Sequence, residues 1–514
     1  MLAKIKSYAL SGLEGYGVAV EVDIHSGLPG FDVVGLPDTA IKESRERVRA
    51  AVKNSGYDFT PRKITVNLAP AHTKKEGPIF DLAIALGILC STEQAGVDEH
   101  KSPLPYAKEY VFLGELSLSG EVTRINGVMP MLIAAKEHGV KKIVIPKANS
   151  NEARYIRGIE IYPVESLREA TALLNGESMP PLECCDVVLG GGHGASENLK
   201  FVKGQYAAKR ALEIAAAGGH NIIMIGSPGG GKTMLAKCLP GILPDMTEAE
   251  ALETTKIHSI AGILDAESGI VTSRPFRSPH HTSSKVALTG GGPTAKPGEI
   301  SYAHNGVLFL DEMPEYPRSV LEILRQPLED GVVTVSRASR SVEYPANFML
   351  VASMNPCPCG YFGSATHNCS CSPSQIQKYM SRISGPLLDR IDLHIEVDEV
   401  NYDDLTKETN TESSEVVRER VNKARAVQTA RYKGSNVHCN AQMSGEMIKR
   451  YCVLDAKGES IMQNAFDKLG MSARAYTRIL KVARTIADLD GSESVLSKHV
   501  AEAVMYRSLD KAVK

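Results

Sequence analysis

Two segments of the sequence carry residue types suited to ATP hydrolysis. The first, GSPGGGKT, runs from Gly226 to Thr233 and fits the phosphate-binding pattern G-x-x-x-x-G-K-[ST]. The second, VLFLDE, runs from Val307 to Glu312 and ends in two carboxylates. Because phosphoryl transfer needs a phosphate cradle, a metal ion and an oriented water molecule, the two segments together predict an ATPase that uses Mg²⁺.

Each part of this centre has a candidate residue. The glycines let backbone N–H groups turn inward around phosphate oxygens, while Lys232 is expected to meet the β- and γ-phosphates and Thr233 to hold Mg²⁺. Asp311 is expected on the metal side, and Glu312 is placed to polarise the attacking water. The residues expected to bind the nucleotide are Gly226, Ser227, Pro228, Gly229, Gly230, Gly231, Lys232 and Thr233.

Strands and a helix must position these side chains. The apolar run Ile222–Ile225 predicts a buried strand before the glycines, and residues 234–239 predict a helix after them. Val307–Leu310 predicts a second strand, and residues 348–354 predict a third. Asn355 ends the third strand, where we expect a sensor that contacts the γ-phosphate or the water rather than a plain turn former.

Two arginines farther along could supply positive charge to the reaction. Arg390 lies in the segment SGPLLDRIDL, and Arg474 lies near the start of a helix that follows Ser472. Either could instead be a surface cation. The negative charge that develops on the γ-phosphate needs such a group, which a neighbouring subunit often supplies.

Length and charge limit the class of protein. The 514 residues exceed what one hydrophobic core usually supports, so we expect about three domains. A net charge of −2 argues against an overall basic nucleic-acid binder, and DNA contact would therefore need a local patch. No apolar stretch approaches the length of a membrane span and the start lacks the pattern of a signal peptide, so we expect a cytoplasmic protein without membrane contact.

Changes of composition along the chain predict four parts. Strands and helices alternate in the first part, which indicates a compact α/β domain, whereas two prolines and a glycine run indicate a linker after it. An ATPase core and a helical, charge-rich region follow. The predicted bounds are 1–175 for the first domain, 176–198 for the linker, 199–397 for the core and 398–514 for the helical region; within the first domain, strands are predicted at 63–68 and 142–145 and helices at 80–90 and 128–138.

The order of these motifs resembles that of the magnesium-chelatase-like AAA+ ATPases, and within them the bacterial ComM (YifB) group. The resemblance covers essentially the whole chain. The segments that carry it are Gly226–Thr233, Arg274–His281, Thr289–Gly292, Pro297–Ile300, Val307–Glu312, Asn355–Gly360 and Leu387–Asp392.

The resemblance implies a fold and a function. The implied fold is α/β, with an AAA+ P-loop core, a C-terminal helical lid and an N-terminal domain similar to the Lon protease domain, which Gly30–Pro37 and Gly120–Gly127 resemble. The group is understood as hexameric DNA motors that promote branch migration during natural transformation, with single- or double-stranded DNA and recombination proteins as partners. By resemblance, Arg390 matches the arginine finger, Asn355 sensor 1 and Arg474 sensor 2.

The N-terminal domain departs from Lon at the protease site. A Ser-Lys dyad needs a serine after Gly-Pro and a lysine some forty to fifty residues later. This sequence has Gly77-Pro78-Ile79 at the first position and Val128–Met131 at the second, and the nearby Lys74, Lys75 and Lys136 do not restore the arrangement. We therefore expect a structural or assembly module and not a protease.

Three functions remain open at this point. A DNA-translocating ATPase is favoured over a chelatase-type motor that acts on a protein partner, because chelatase ATPase subunits lack the Lon-like domain. An ATP-dependent protease is disfavoured by the missing dyad. Stimulation of ATP hydrolysis by DNA would distinguish the first function from the second.

Four cysteines close to the sensor strand suggest a metal site. Their spacing is C-x-C-x₉-C-x-C, and four soft thiolates could form a tetrahedral shell around Zn²⁺. The alternative is free or redox-active thiols, and His367 could replace one sulfur. Adjacent His280 and His281 would point to opposite faces of an extended segment and are expected to be structural or interfacial. The four candidate zinc ligands are Cys357, Cys359, Cys369 and Cys371.

A hairpin between the second and third strands is the expected DNA contact. Residues 331–345 contain two β-prone runs with a tip near Arg337 and Arg340. Two arginines and small residues suit sliding contact with phosphates, although the same tip could be only a solvated hairpin. A glycine-rich loop offers Lys296 as a further contact.

Overall fold

The structure, a computed structural model, describes residues 2–98, 104–189, 197–292, 295–337, 340–364, 366–399, 411–469 and 471–507. These residues pack as two compact units. Unit 1 takes the ranges 1–188, 248–271 and 293–296, and unit 2 takes 189–247, 272–292 and 297–514. The four-part division drawn from the sequence stays a prediction, and it did not anticipate that residues 248–271 pack with unit 1.

Unit 1 is built on a mixed seven-stranded sheet. Its strands are β1 (Ala3–Ser11), β2 (Glu14–His25), β3 (Gly30–Val34), β4 (Lys63–Ala69), β5 (Tyr110–Phe112), β8 (Lys142–Pro146) and β9 (Glu160–Val164), with β6 (Glu115–Leu116) and β7 (Val122–Thr123) forming a separate pair. The order is β3-β4-β2-β1-β5-β8-β9. β2 is antiparallel to both β1 and β4, while β5, β8 and β9 continue the sheet in parallel.

Helices cover this sheet and close its core. They are α1 (Thr39–Asn54), α2 (Asp81–Ser91), α3 (Tyr106–Glu109), α4 (Val128–Glu137), α5 (Ser150–Ala153) and α6 (Leu167–Leu174). α2 is apolar on every side and almost wholly buried, as expected for a central core helix. Its first residue, Asp81, accepts hydrogen bonds from Ser44 and Arg47. Burial raises the pKa of Asp81, which Arg47 counteracts.

Unit 2 contains a parallel five-stranded sheet. Up to its last strand, the elements from residue 206 onward are α7 (Tyr206–Gly218), β10 (Ile222–Ile225), α8 (Lys232–Cys238), α9 (Glu248–Ala261, packed in unit 1), β11 (Phe276–Arg277), α10 (Lys285–Thr289), β12 (Gly290–Gly291), β13 (Lys296–Pro297), α11 (Glu299–Tyr302), β14 (Val307–Leu310), α12 (Arg318–Leu321), α13 (Pro327–Asp330), β15 (Val332–Arg337), β16 (Arg340–Pro345), β17 (Met349–Met354), α14 (Pro373–Met380), α15 (Gly385–Leu388) and β18 (Leu393–Glu396).

The sheet order places the ATP-site segments at one edge. β10 lies between β17 and β18, and the full order is β11-β14-β17-β10-β18. β10, β14 and β17 are buried along their whole length, as strands of a parallel sheet covered on both faces usually are. The segments at the carboxyl ends of these three strands therefore lie side by side, where open α/β sheets bind ligands.

Helices complete unit 2 at its C-terminal end. They are α16 (Ser414–Arg431), α17 (Gly445–Tyr451), α18 (Ala456–Leu469), α19 (Ala473–Leu489) and α20 (Ser497–Met505). Asp488 of α19 accepts hydrogen bonds from Arg431 of α16 and from Arg484 on its own helix. The α/β class, the strands predicted beside the GSPGGGKT and VLFLDE segments and the hairpin of β15 and β16 are confirmed. Among the described helices, none is long and apolar enough to cross a membrane.

Residues 248–271 pack in unit 1 although they follow α8 in the chain. Ser259 of α9 donates a hydrogen bond to Glu152 at 3.0 Å, and its carbonyl oxygen accepts one from the backbone N–H of Gly127 at 3.1 Å. Arg124 donates to the carbonyl oxygen of Leu264 at 3.0 Å. Glu152 is buried, and burial raises its pKa. Ser259 thus adds a second hydrogen bond to the one that Asn149 donates to this buried carboxyl group at 2.9 Å, which lowers the cost of burying it.

Candidate functional site

The GSPGGGKT loop connects β10 to α8 and leaves room for a ligand along its backbone. Gly229 and Gly231 have positive φ angles, of 82° and 86°, and nothing lies within 4 Å of where a side chain would start. Glycine is required at these two positions because other residues rarely adopt that conformation. Gly226 is needed for a different reason, since a β-carbon there would lie 2.3 Å from the carbonyl oxygen of Val397. The loop therefore has the open backbone that a phosphate cradle requires.

The side chain of Lys232 is hydrogen-bonded to the first two residues of this loop. Its ammonium donates to the carbonyl oxygens of Gly226 at 2.7 Å and Ser227 at 2.9 Å. It also donates to Oδ1 of Asn355 at 3.1 Å, which brings together the expected sensor and the lysine expected to meet the phosphates. Burial lowers the pKa of Lys232, whereas the carboxylates of Asp311 and Glu312 favour its charged form.

The carboxylate of Asp311, directly after β14, contacts the first residue after that lysine. Thr233 Oγ1 donates to Asp311 Oδ2 at 3.0 Å, so the two residues expected to hold Mg²⁺ lie in direct contact. A hydroxyl and a carboxylate oxygen are ligand types that Mg²⁺ prefers. Glu312 is exposed and has a φ of 51°, a left-handed conformation that is strained for residues other than glycine.

Ser353 holds these two carboxylate residues, and the sequence interpretation did not identify it. It is fully buried in β17; its hydroxyl donates to Asp311 Oδ1 and accepts from the backbone N–H of Glu312 at 3.1 Å. The sequence could have indicated Ser353, because alternate residues of a strand share a face and Ser353 precedes Asn355 by two residues. Ser353 thus positions both the metal-side carboxylate and the residue expected to polarise water.

Arg390 and Arg474 meet at one carboxylate, Glu329. The guanidinium of Arg390 is buried and donates to Glu329 Oε2 and to the carbonyl oxygen of Pro386. Arg474 is exposed and lies 3.7 Å from Glu329 Oε1. The pairing with Arg390 lowers the pKa of Glu329. Among the described residues, neither guanidinium is hydrogen-bonded to the GSPGGGKT loop, Asp311 or Asn355.

A buried ionic network fixes the backbone around Arg390. Asp392 accepts hydrogen bonds from Arg478 of α19 and from the backbone N–H of Asn221 at 3.0 Å, and it lies 3.5 Å from His220. Burial alone would raise the pKa of Asp392, but Arg478 and His220 hold it below its usual range. Arg478 also donates to the carbonyl oxygen of Arg390 at 3.2 Å. The helix that carries Arg474 is thereby attached to the segment that carries Arg390.

The four predicted zinc ligands come together. The sulfur atoms of Cys357, Cys359, Cys369 and Cys371 all lie within 4.8 Å of one another. Cys357 Sγ is 3.3 Å from Cys359 Sγ and 3.7 Å from Cys369 Sγ, distances that fit the edges of a tetrahedral thiolate shell. A hydrogen bond from the backbone N–H of Tyr361 lowers the pKa of Cys359 to about 5. His367 instead stacks on Tyr361, with ring centroids 4.6 Å apart.

Residues 357–371, which we call the cysteine loop, lie against the GSPGGGKT loop. A β-carbon on Gly360 would come within 2.6 Å of Pro228 Cδ, so the backbone of Gly360 packs closely on the ring of Pro228. Glu399 accepts a hydrogen bond from Ser364 at 2.7 Å, and the Ser227 side chain helps to lower the pKa of Glu399. The cysteine loop therefore forms one wall of the candidate nucleotide site.

The candidate DNA contacts are described in part. β15 and β16 pair antiparallel with Arg337 opposite Arg340 at the end of the ladder, while the tip residues 338–339 and both arginine side chains lie outside what the structure describes. Lys296 is exposed at the start of β13 and packs with unit 1.

His280 and His281 do not join the cysteine cluster. The expectation that the two side chains point to opposite faces is wrong, because their ring centroids are 4.1 Å apart; His281 also contacts Tyr316.

The Lon-like protease positions are filled with apolar side chains. Ile79, at the position of the serine, is buried, and so is every residue from Val128 to Met131. Lys75 is also buried, and its ammonium donates to the carbonyl oxygen of Pro70. Burial lowers the pKa of Lys75. Among the described residues, neither of the two positions that correspond to the dyad is therefore occupied by a serine or a lysine.

Comparison with known families matches nearly the whole chain. The model for magnesium chelatase, subunit ChlI, matches residues 198–405, a second model for subunit ChlI of Mg-chelatase matches residues 20–149, and the model for the ChlI C-terminal region matches residues 411–507.

Full-length relatives agree with these matches. The chain is 43% identical to Competence protein ComM of Haemophilus influenzae over 514 residues, covering 99% of this chain and 98% of that protein. It is 41% identical to YifB of Escherichia coli over 515 residues, again covering 99% and 98%. A shorter similarity of 31% over 140 residues, 26% of this chain and 21% of the relative, links the N-terminal region to the archaeal Lon protease of Thermococcus kodakarensis.

Proposed function

Since the chain belongs to the magnesium chelatase ChlI family, as a full-length relative of ComM and YifB, we propose that it is an ATP-hydrolysing motor that acts on DNA. The observation that carries the proposal is the convergence of Lys232, Asn355 and the Thr233–Asp311 pair at one edge of the unit 2 sheet. This set combines a cation, a sensor amide and metal-ligand oxygens, which phosphoryl transfer requires.

Each residue of the set has a task in this proposal. Bound ATP with Mg²⁺ supplies the phosphoanhydride bond that is cleaved. Lys232 neutralises phosphate charge, while Thr233 and Asp311 hold the cation. Glu312 orients water and accepts its proton, and the Ser353 hydroxyl holds Glu312 and Asp311 in position. The strained backbone of Glu312 is consistent with a residue held for catalysis.

We propose that six subunits form a ring that acts on DNA. Arg390 is proposed as the arginine finger that reaches the neighbouring subunit, and Arg474 as sensor 2. The hairpin arginines Arg337 and Arg340, with Lys296, are proposed to contact single- or double-stranded DNA phosphates. The name of the Haemophilus relative, a competence protein, supports a role in natural transformation. We propose that this role is branch migration of DNA, with recombination proteins as partners in the cytoplasm.

The test is ATP hydrolysis with and without DNA. Wild-type protein should hydrolyse ATP faster when single- or double-stranded oligonucleotides are added. Lys232→Ala should lose nucleotide binding, whereas Glu312→Gln should bind ATP without cleaving it, because only the water-polarising group is removed. Lys237→Ala, an exposed lysine on the same helix, serves as the matched control and should behave as wild type. A rate of ATP hydrolysis that does not change when DNA is added would favour the alternative, a chelatase-type motor acting on a protein partner.

We further propose that the four cysteines bind Zn²⁺ as a structural site. Four sulfur atoms within 4.8 Å of one another form a closed S₄ set, which zinc occupies in structural sites. Protein purified under reducing conditions without chelators should contain about one zinc ion per chain by elemental analysis. Cys369→Ser should lose it, and Cys184→Ser, at an exposed cysteine outside the cluster, should keep it. Wild-type protein without zinc would reject the site.

A further inference from the structure

The cysteine loop contacts the GSPGGGKT loop, here called the nucleotide-binding loop, at Pro228. Pro228, the third residue of GSPGGGKT, packs on Gly360, which lies between Cys359 and Cys369 in the chain. The close approach is possible only because Gly360 has no side chain, since a β-carbon would overlap the proline ring. Movement of Gly360 would therefore be transmitted directly to Pro228.

A second contact runs through Glu399. Its carboxylate accepts hydrogen bonds from Ser364 and Thr366 of the cysteine loop. The Ser227 side chain of the nucleotide-binding loop helps to lower the pKa of this carboxyl group, so Glu399 lies between the two loops. These hydrogen bonds lower the pKa of Glu399, so the group is ionised at neutral pH and its hydrogen bonds are charge-assisted.

The third link runs along the chain itself, from the expected sensor residue to the first cysteine. Asn355, which accepts a hydrogen bond from Lys232 at 3.1 Å, precedes Cys357 by two residues. Cys357 is fully buried, and its sulfur also accepts a hydrogen bond from the backbone N–H of Phe362 at 3.3 Å. A metal bound to Cys357 would therefore restrict the chain immediately after the sensor residue.

From these contacts we propose that zinc binding by the four cysteines and nucleotide binding by the GSPGGGKT loop are thermodynamically coupled. The inference rests on the proposed zinc and ATP sites and adds the link between them. Zinc fixes the wall formed by Gly360 and Asn355, and this wall sets the positions of Pro228 and Lys232. Because coupling between two binding sites is reciprocal, nucleotide tightens zinc binding by the same factor by which zinc tightens nucleotide binding.

The experiment measures both directions on the full-length protein. Zinc affinity is determined by equilibrium competition with a chromophoric chelator, with and without saturating Mg·ADP. Nucleotide affinity is determined with a fluorescent ADP analogue on zinc-loaded and zinc-depleted protein. We expect each ligand to lower the dissociation constant of the other by about five- to a hundredfold, and the two factors to agree. Lys232→Ala, which should not bind nucleotide, should show zinc affinity that is independent of Mg·ADP.

Pro228→Ala tests the contact without touching a cysteine. This variant retains the zinc ligands and lacks the ring that packs on Gly360, so it should bind zinc normally while the coupling factor falls toward one. Its zinc affinity, measured by chelator competition with and without Mg·ADP, gives the coupling factor without a separate preparation of zinc-depleted protein. Zinc-loaded wild type whose zinc affinity does not respond to Mg·ADP would overturn the coupling alone. Protein that never holds zinc would overturn the zinc site together with it.

Discussion

Replacing Ser353 with alanine removes the hydroxyl that holds Asp311 and Glu312 in place. The hydroxyl donates to the Asp311 carboxylate and accepts from the backbone N–H of Glu312 at 3.1 Å, and it is fully buried. A hydrogen bond to a charged group contributes about 1.5–3 kcal/mol, and loss of that amount from the transition state slows a reaction about ten- to a hundredfold. We expect kcat of Ser353→Ala to fall by that factor.

Nucleotide affinity should change little in Ser353→Ala, because the contacts of Lys232 with Gly226 and Ser227 are intact. The assay is steady-state ATP hydrolysis at saturating Mg·ATP, combined with binding of a fluorescent ATP analogue. A thermal melt checks that the fold survives.

Ser301→Ala is the matched control for this variant. Ser301 is equally buried in unit 2, and its hydroxyl has no hydrogen-bond partner among the residues that the structure describes. Its removal should leave kcat within about twofold of wild type, since no hydrogen bond is lost. A Ser353→Ala enzyme that matches the Ser301→Ala control would refute the positioning role.

The arginines give the remaining predictions. Arg390→Ala protein mixed with Lys232→Ala protein should regain part of the ATPase activity, since a mixed interface offers one intact cradle and one intact arginine; confirmed mixed rings without recovery would contradict a role across the interface. Glu329→Gln should raise ATPase activity without DNA by about two- to fivefold, because the carboxylate that retains Arg390 is lost; unchanged or lower activity would show that Glu329 does not restrain it. Arg337→Ala combined with Arg340→Ala should weaken DNA binding irrespective of base sequence and reduce the slope of log Kd against log salt by up to about two, with nucleotide affinity unchanged; an unaltered slope would exclude the hairpin.

Local patterns were sufficient to predict the ATP-site elements. Ile222–Ile225 and Val307–Leu310 are strands with the bounds that their apolar runs indicate, because four buried residues between polar or glycine-rich segments leave little choice of conformation. The helix after the glycines begins earlier than predicted, at Lys232, since a P-loop leads directly into its helix. The cysteine spacing likewise predicted a cluster that the structure brings together.

Contacts between distant segments were not predictable in the same way. Glu329 and Arg390 are 61 residues apart, and Glu152 and Ser259 are 107 apart. No periodicity or motif relates such residues, since their proximity arises from packing of whole elements. Ser353 is intermediate: its position in the sensor strand was predicted, but its hydrogen bonds depend on how β17 lies against β14.

The buried pair of Glu152 and Ser259 has a consequence for the order in which the protein folds during synthesis. Domains usually fold as they leave the ribosome, the N-terminal one first. Here unit 1 lacks α9 until residue 271 has emerged, and by then the GSPGGGKT loop is already outside the ribosome. The nascent chain must therefore hold an incomplete first unit, in which Glu152 lacks its hydrogen bond from Ser259, while residues 189–247 of unit 2 emerge. A fragment ending at residue 188 would remain arrested at that stage.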